Sequence, residues 1–362
     1  EAAGEGLVQV LAEVRGQNGD APVLLHPLQQ VADLDVGVAV VGVLHLRPLA
    51  EQGGAIVEVN AGPSLLMHIK PAIGTPRPVG EAVVEHLFPS HEDGRIPIVG
   101  ITGSYGTTTV AHLIAQLLAL SGKQTGLACS DGFSLDRRQV KNRDQSHWKA
   151  ARNILMNRSI EAAVFENGSD SMLREGLAYD GCHVGIVTNV ELTRHYGKFI
   201  ETPKQVFDVL RTQVDVVVPA GAAVLNAREP MLVEMAGLCN GEIIYFSLDS
   251  NLSIIKEHCL HGTAGTNGIR GKRAVTVRDG EIFLINGSSE LPLSKLNDVP
   301  ITCDGQAVLE VENVLAAVAA AWSLGIDPIG AARSTAALSG SGAIRAMFSA
   351  TVPGNNSTIC DM

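Results

Sequence analysis

The segment GITGSYGTTT, from Gly100 to Thr109, has the residue order of a phosphate-binding loop. A hydrophobic stretch at residues 96–102 leads into glycines and a threonine cluster, and an apolar helix pattern follows over residues 110–118. Such a loop places backbone N–H groups at a helix N-terminus, where they bind phosphate oxygens. One residue departs from the pattern, because the lysine expected between Gly106 and Thr108 is Thr107. The segment therefore raises the question of whether it still binds a triphosphate.

The chemistry expected of this loop is divided between backbone and side chains. Backbone N–H groups would cradle phosphate oxygens with help from the helix dipole, and the Thr108 hydroxyl would coordinate Mg²⁺. A lysine contact to the terminal phosphates contributes roughly 1.5–3 kcal/mol, which Thr107 cannot supply. The alternative interpretation is a strand–helix turn that uses small residues only to turn tightly. The candidate nucleotide-binding residues of the loop are Gly103, Ser104, Tyr105, Gly106, Thr107, Thr108 and Thr109.

The composition limits the class of protein. The chain has 362 residues, of which 46% are hydrophobic and 18% charged, as in a well-cored protein of two or three domains. Its net charge of −11 argues against nucleic acid as a partner. Apolar runs fall short of the roughly 18–20 residues that a membrane span needs, so no membrane segment is expected. The six cysteines include no CxxC pair, which fits a reducing cytoplasm.

The chain divides into regions by its sequence pattern. Residues 1–75 contain apolar runs at 36–46 and 55–60 that suggest adjacent strands, and the Pro- and Gly-rich residues 76–95 suggest a linker with one short helix. From residue 96 to about 340, strands alternate with helix-length stretches, which predicts a doubly wound α/β fold with a parallel sheet. Within this region, residues 272–285 predict a hairpin, and Ala-rich helices are expected at about 307–323 and 328–338. The chain opens without Met and stops where a further strand would begin, so we interpret it as an internal fragment.

Five motifs in one order give the chain a resemblance to the cyanophycin synthetases. The motifs are GGAIVEVNAGPSLLMHIKP, GRIPIVGITGSYGTTT, GLAYDGCHVGIVTNV, AVLNAREP and VENVLAAVAAAWSLGID. That family polymerises aspartate and arginine using ATP, with an ATP-grasp half followed by a half similar to the Mur ligases. The resemblance implies that residues 1–75 end an ATP-grasp domain, that 96–340 form a central ATP-binding domain of Mur ligase type, and that 341–362 begin a C-terminal lid domain.

The resemblance assigns metal-binding roles in the ATP-grasp part. Glu58 and Asn60 match the family's Glu-x-Asn, whose side-chain oxygens bind the Mg²⁺ that bridges ATP phosphates. Residues two apart in a strand point to the same side, which suits a shared metal. The alternative is the polar face of an edge strand.

In the Mur-like domain, the resemblance places a Glu after the next strand and a His after the strand that ends in Thr-Asn. Glu166 and His195 occupy these positions, so Glu166 would bind Mg²⁺ and both would act in catalysis. Arg194 stands where the family has Asp, and this reversal of charge disfavours Mg²⁺. The segments NGSDS after Glu166 and DQSHW near residue 147 also depart from the family's pattern. Together with Thr107, these departures predict a degenerate ATP site.

Two asparagines stand where Mur-like ligases contact adenosine, namely Asn226 in AVLNAREP and Asn313 in VENVLAA. Arg228 and Glu229 replace the acidic pair that would bind ribose. Either asparagine would serve equally well as a turn or cap residue.

We interpret the chain as part of an ATP- and Mg²⁺-dependent amide ligase that makes cyanophycin and forms a homo-oligomer. With its Mur-like site degenerate, it resembles the variants that join β-aspartyl-arginine dipeptides through the ATP-grasp half. One alternative is a bifunctional synthetase that adds aspartate and arginine, with Lys198 or Arg194 reaching the phosphates. The other is a non-catalytic scaffold or polymer-binding module.

Overall fold

The structure is a computed structural model that describes residues 11–13, 24–25, 40–41, 65–88, 94–136, 138–191, 200–266, 268 and 270–326. The chain divides into two compact units, Glu1–Arg95 and Ile96–Met362. The described part of the first unit has three short strands and two helices. The strands are β1 (Leu11–Glu13), β2 (Leu24–Leu25) and β3 (Val40–Val41), and the helices are α1 (Leu66–Ile69) and α2 (Val79–Leu87). Helix α2 confirms the short helix predicted within residues 76–95.

The described part of the second unit is built on an eleven-stranded sheet whose seven central strands are parallel. In sheet order these are β14, β11, β10, β9, β4, β8 and β5, and antiparallel strands extend both ends. A separate antiparallel pair joins β12 and β13. The strand bounds are β4 Ile98–Thr102, β5 Thr125–Cys129, β6 Gly132–Leu135, β7 Arg138–Lys141, β8 Ala162–Glu166, β9 Cys182–Val187, β10 Val217–Asn226, β11 Glu242–Ser247, β12 Thr263–Ala264, β13 Arg270–Gly271, β14 Arg273–Arg278, β15 Glu281–Asn286 and β16 Ser289–Lys295.

Helices cover both faces of the sheet, which confirms the doubly wound α/β prediction. Central strands such as β4 and β8 are buried along their whole length, as their continuous apolar runs require. The helix bounds are α3 Thr107–Leu120, α4 Trp148–Leu155, α5 Ser169–Glu175, α6 Pro203–Leu210, α7 Thr212–Asp215, α8 Pro230–Met235, α9 Ser253–His261 and α10 Val308–Ser323, with 3₁₀ turns at Ala236–Leu238, Leu296–Asp298 and Pro300–Gly305. Helices α3 and α10 pack on one face, and α4, α6, α7 and α8 pack on the other.

The topology brings the predicted loop and Glu166 to one edge of the sheet. Strand β4 lies between β8 and β9, and all three run parallel, so their carboxyl ends meet. Ile101 pairs with Glu166 at the end of β8, and Thr102 pairs with Val187 at the end of β9. The loop between β4 and α3 starts at this edge. Ligand sites of open α/β sheets lie in the same place.

Several predicted features lie outside the described residues. These are Glu58, Asn60, His195, the helix at 328–338 and residues 341–362. Among the helices that the structure does describe, none is both long enough and apolar enough to span a bilayer.

Candidate functional site

The loop from Gly103 to Gly106 connects β4 to α3 through two glycines with positive φ. Gly103 has φ 152° and Gly106, the N-cap of α3, has φ 80°. A Cβ atom at Gly103 would overlap the Thr188 hydroxyl, and one at Gly106 would overlap the Asn313 side chain. Both positions therefore need glycine for backbone geometry and for space. The loop has the shape that the sequence predicts, and Asn313 lies directly against it.

The carboxamide of Asn189 occupies part of the predicted phosphate cradle. Its Oδ1 accepts hydrogen bonds from the backbone N–H groups of Ser104 at 2.8 Å and Tyr105 at 3.0 Å. Its Nδ2 donates to the Tyr105 carbonyl at 3.0 Å, and the Thr188 hydroxyl donates to the same carbonyl at 2.8 Å. Two of the loop N–H groups expected to bind phosphate thus donate to a side chain in this structure. The first-turn N–H groups at Thr107, Thr108 and Thr109 have no earlier carbonyl of the same helix to bond.

Glu166 closes the other side of the loop, where it accepts hydrogen bonds from both threonines at the start of α3. The Thr107 hydroxyl donates to Oε1 at 2.7 Å, and the Thr108 hydroxyl lies 2.9 Å from Oε1 and 3.1 Å from Oε2. The backbone N–H of Ser130 donates to Oε2 at 2.7 Å. The residue that replaces the expected lysine is therefore bonded to the Glu166 carboxylate.

These residues supply oxygen atoms of the kind that Mg²⁺ binds, but no cation for a triphosphate. The oxygens are the Thr108 hydroxyl and the Glu166 carboxylate, which are hydrogen-bonded to each other at 2.9 Å. Residues 103–109, however, contain no Lys or Arg. Within the described part of the chain, no group of three or more His, Cys, Asp and Glu side chains is placed to hold a metal. A metal at this point would rest on one carboxylate and one hydroxyl.

Carboxylates surround the outer side of the loop. The Tyr105 hydroxyl donates to Glu191 Oε1 at 3.2 Å, and burial together with Glu191 raises the pKa of Tyr105 to about 12. Burial also raises the pKa of Glu229, and the charges of Glu191 and Glu312 raise it further. Arg228 Nη1 lies 3.2 Å from Glu312 Oε1, so this nearby cation is already paired. Among the described residues, the unpaired charges around the loop are therefore negative, which opposes a polyphosphate.

The two predicted adenosine residues are buried and have protein partners. Asn226 Oδ1 accepts the backbone N–H of Arg228 at 3.0 Å, which makes it a turn residue. Asn313 Nδ2 donates to Glu310 Oε2 at 3.1 Å. The Arg228–Glu312 ion pair joins the turn after β10 to helix α10, which carries Asn313. The structure thus brings both asparagines into the region of the loop, with the amide oxygen of Asn226 already engaged.

Sequence reasoning missed Asn189, Ser130 and Glu191 as parts of this site. Asn189 and Glu191 follow β9, and Ser130 follows β5, so only the strand order places them beside the loop. The Thr-Asn pair at the end of β9 is the signal that points to Asn189. Asn167, next to Glu166, turns away from the site, because its Nδ2 donates to Tyr179 and Gln213 at 2.7 Å each.

The comparisons with known proteins identify the family of this chain. The Mur ligase middle domain family matches residues 101–321. Cyanophycin synthetase from Synechocystis sp. is 35% identical over 305 residues, covering 84% of this chain and 34% of the relative, and that from Geminocystis herdmanii is 36% identical over 300 residues, covering 82% and 33%. The chain thus spans about a third of the length of these relatives. A solved UDP-N-acetylmuramoyl-L-alanyl-D-glutamate--2,6-diaminopimelate ligase aligns with TM-score 0.47 at 18% identity, covering 65% of this chain and 45% of the ligase. With its parallel sheet and its strand–loop–helix at residues 98–120, the chain belongs to the Mur ligase middle domain family.

Proposed function

We propose that this chain is part of an ATP-dependent amide ligase of cyanophycin biosynthesis. The proposal is supported by the identity to cyanophycin synthetases over more than four fifths of the chain and by the Mur ligase middle domain. In this chemistry, ATP supplies the phosphoryl group that activates a carboxylate for attack by an amine. The substrates would be aspartate and arginine or the dipeptide β-aspartyl-arginine, together with the growing polymer. The enzyme would be cytoplasmic and homo-oligomeric.

We further propose that the Mur-like site of this chain does not transfer phosphate. One observation carries this proposal: Thr107 stands in place of the lysine and donates its hydroxyl to Glu166 at 2.7 Å. A transferring phosphoryl group needs cations that stabilise its charge, and a carboxylate held by two threonines supplies none. The Asn189 contacts also disfavour a bound triphosphate, because they occupy two loop N–H groups. The carboxylates of Glu191, Glu229 and Glu312 disfavour it by their negative charge.

Catalysis would then rest on the ATP-grasp half. Glu58 and Asn60 would bind Mg²⁺ there, as the Glu-x-Asn pattern suggests. The Mur-like domain would serve the architecture of the enzyme.

Calorimetric titration of the chain with Mg²⁺ and ATP tests the inactive-site proposal. We expect a Kd in the millimolar range or weaker for the wild-type chain. A Thr107→Lys variant should bind about 10- to 150-fold more tightly, because a charge-assisted contact contributes roughly 1.5–3 kcal/mol. Thr107→Met is the matched control, since it also loses the hydroxyl bond to Glu166 but adds no charge.

Two results would contradict the proposal. Micromolar, Mg²⁺-dependent binding by the wild-type chain with arginine-stimulated phosphate release would support a bifunctional synthetase. Equal affinities for Thr107→Lys and Thr107→Met would mean that the missing lysine is not what limits binding.

A further inference from the structure

A basic segment lies at residues 137–158 of an otherwise acidic chain. These residues contain seven Lys or Arg and one Asp, whereas the whole chain has 27 Lys and Arg against 38 Asp and Glu. In the structure, the segment includes the edge strand β7, a connecting loop and helix α4. Its exposed cations include five that we call the basic face, namely Arg138, Lys141, Arg143, Lys149 and Arg152. Such a local excess of positive charge attracts anions.

The register of β7 turns two of these cations toward α4. Lys141 pairs with Phe133 and Arg138 pairs with Leu135 in the neighbouring strand β6. Residues directly opposite each other in paired strands point to the same face of the sheet. Phe133 belongs to the apolar cluster that contains Ile154 of α4, and Leu135 packs against that cluster. Arg138 and Lys141 therefore lie on the side of the sheet that α4 covers.

Helix α4 presents its own cations on the same side. A Cβ atom at Gly126 of β5 would overlap Ile154, so α4 packs directly on β5, which lies two strands from β7. Lys149, Arg152 and Met156 follow one another at spacings of three and four residues, which place them along one side of the helix. All three are exposed. Strand and helix thus contribute cations to one surface at this end of the sheet.

The cations of the basic face are not neutralised. Among the ion pairs formed by the described residues, none involves a residue of this face. Two carboxylates adjoin the face, and both accept hydrogen bonds from backbone N–H groups. Asp144 Oδ1 accepts from Ser146 at 2.8 Å, and Glu175 Oε2 accepts from Trp148 at 3.3 Å. The face therefore keeps an excess of positive charge.

Exposed apolar side chains accompany the cations. Val140 of β7 is 50% exposed, and Met156 at the end of α4 is 69% exposed. Cations combined with exposed apolar side chains are what the surface of an anionic lipid bilayer binds. A nucleic acid is favoured by free aromatic rings, but the one aromatic residue among Phe, Tyr and Trp in the segment is Trp148, and the Arg152 guanidinium lies over its ring at 5.1 Å. These features favour a lipid surface as the partner.

We propose that the basic face binds the surface of an anionic lipid bilayer. The lipid phosphates would pair with the cations of the face, while Val140 and Met156 enter the headgroup region. Physiological salt screens charges over roughly 8 Å, so repulsion from the acidic remainder of the chain would be weak. A single basic surface gives reversible binding rather than permanent anchoring. The proposal goes beyond the proposed ligase function and does not depend on it, because no residue of the basic face belongs to the loop site.

Co-sedimentation of the 362-residue chain with lipid vesicles tests this inference. One set of vesicles contains equal parts of phosphatidylglycerol and phosphatidylcholine, and the other contains phosphatidylcholine alone. We expect binding only to the anionic vesicles, weakening as salt is added. The triple variant R138Q/K141Q/K149Q should bind at least about tenfold more weakly, because each cation near an anionic membrane contributes about 1 kcal/mol.

Two further variants separate charge on this face from charge elsewhere and from apolar contact. The matched control K256Q/K272Q/K295Q removes three charges from exposed lysines in or beside α9, β14 and β16, near the opposite end of the sheet, and should bind within about twofold of wild type. V140Q/M156Q keeps every charge and should bind about threefold or more weakly, because it loses apolar contact with the lipid. Circular dichroism melting verifies that all the variants retain the fold.

Several results would overturn the inference. These are no binding of wild type to anionic vesicles, equal binding to both kinds of vesicle, or an equal loss in the two triple variants. Unchanged binding by V140Q/M156Q would make the face a general anion surface. Tighter binding of an oligothymidylate that R138Q/K141Q/K149Q abolishes would assign the face to nucleic acid, and self-association abolished by the same variant would assign it to a second copy of the chain.

Discussion

At the scale of single residues, the site depends on a glycine in the strand that precedes the loop from Gly103 to Gly106. Gly100 lies in the middle of β4, and a Cβ atom there would overlap the Tyr179 hydroxyl and the Gln213 amide. These two side chains and Asn167 form a buried hydrogen-bonded group with distances of 2.7–2.9 Å. The absence of a side chain at Gly100 thus leaves space for this polar network, which includes Asn167, the residue after Glu166.

We predict that Gly100→Ala destabilises the chain by about 1–3 kcal/mol, because a filled interior must shift or lose hydrogen bonds. Gly237→Ala is the matched control, since its Cβ would meet nothing within 4 Å, and it should change stability by less than about 0.5 kcal/mol. Urea unfolding followed by circular dichroism measures both. Equal stabilities for the two variants would show that the network has space to adjust.

At the scale of secondary-structure elements, the His258 side chain connects helix α9 to strands β12 and β14 by hydrogen bonds. Its Nε2 lies 2.9 Å from the Arg273 carbonyl and its Nδ1 lies 2.8 Å from the Thr263 hydroxyl. A neutral ring satisfies both, with Nε2–H donating to the carbonyl and Nδ1 accepting from the hydroxyl. The ring is buried against the edge of Tyr245, with 4.8 Å between centroids, and burial lowers the pKa of His258 below its ordinary value.

The lowered pKa predicts how stability depends on pH. The unfolded chain takes up this proton at about pH 6.5 and the folded chain only at lower pH, so acid favours unfolding. Between pH 6.5 and 5.5 the free energy of unfolding should fall by up to about 1 kcal/mol through this group, with almost no loss above pH 7.5. Urea unfolding at both ends of this range should show a smaller acid loss for His258→Gln than for wild type. His261→Gln, on the exposed side of the same helix, should leave the pH dependence unchanged.

At the scale of secondary-structure elements, the sequence predicts the central strands better than the edge strands. The apolar runs correctly predicted β4, β8, β9 and β11, because strands buried on both faces need continuous hydrophobic residues. The hairpin of β14 and β15 was predicted from Asp279-Gly280. The sequence pattern does not predict strands β7 and β16, because Arg138–Lys141 is mostly polar and β16 contains Pro292. Edge strands are stabilised by their neighbours more than by their own pattern.

The candidate site, like the sheet, could be predicted only where local features of the sequence specify it. The loop and Glu166 were predictable, since a glycine pattern and a strand end are local features of the sequence. The occupation of the Ser104 and Tyr105 amides by Asn189 was not predictable, because it joins residues more than 80 positions apart. Asn226 shows the converse case, in which an expected ligand residue bonds within its own turn.

At the scale of the whole molecule, we propose that the ATP-grasp half performs the chemistry and that the Mur-like half does not. In a full-length synthetase that contains this chain, Glu58→Gln should abolish polymer formation from β-aspartyl-arginine, because it removes a proposed Mg²⁺ ligand of the ATP-grasp half. Glu166→Gln should leave polymer formation within about twofold of wild type, since the Mur-like site is proposed to take no part in phosphoryl transfer and the amide oxygen still accepts from Thr107 and Thr108, although the Ser130 N–H loses its acceptor. Polymer yield from the dipeptide and ATP measures both, with thermal melting to verify folding. Polymerisation that survives Glu58→Gln and fails in Glu166→Gln would place the chemistry in the Mur-like half, whereas no polymer from the wild-type synthetase would favour the scaffold alternative.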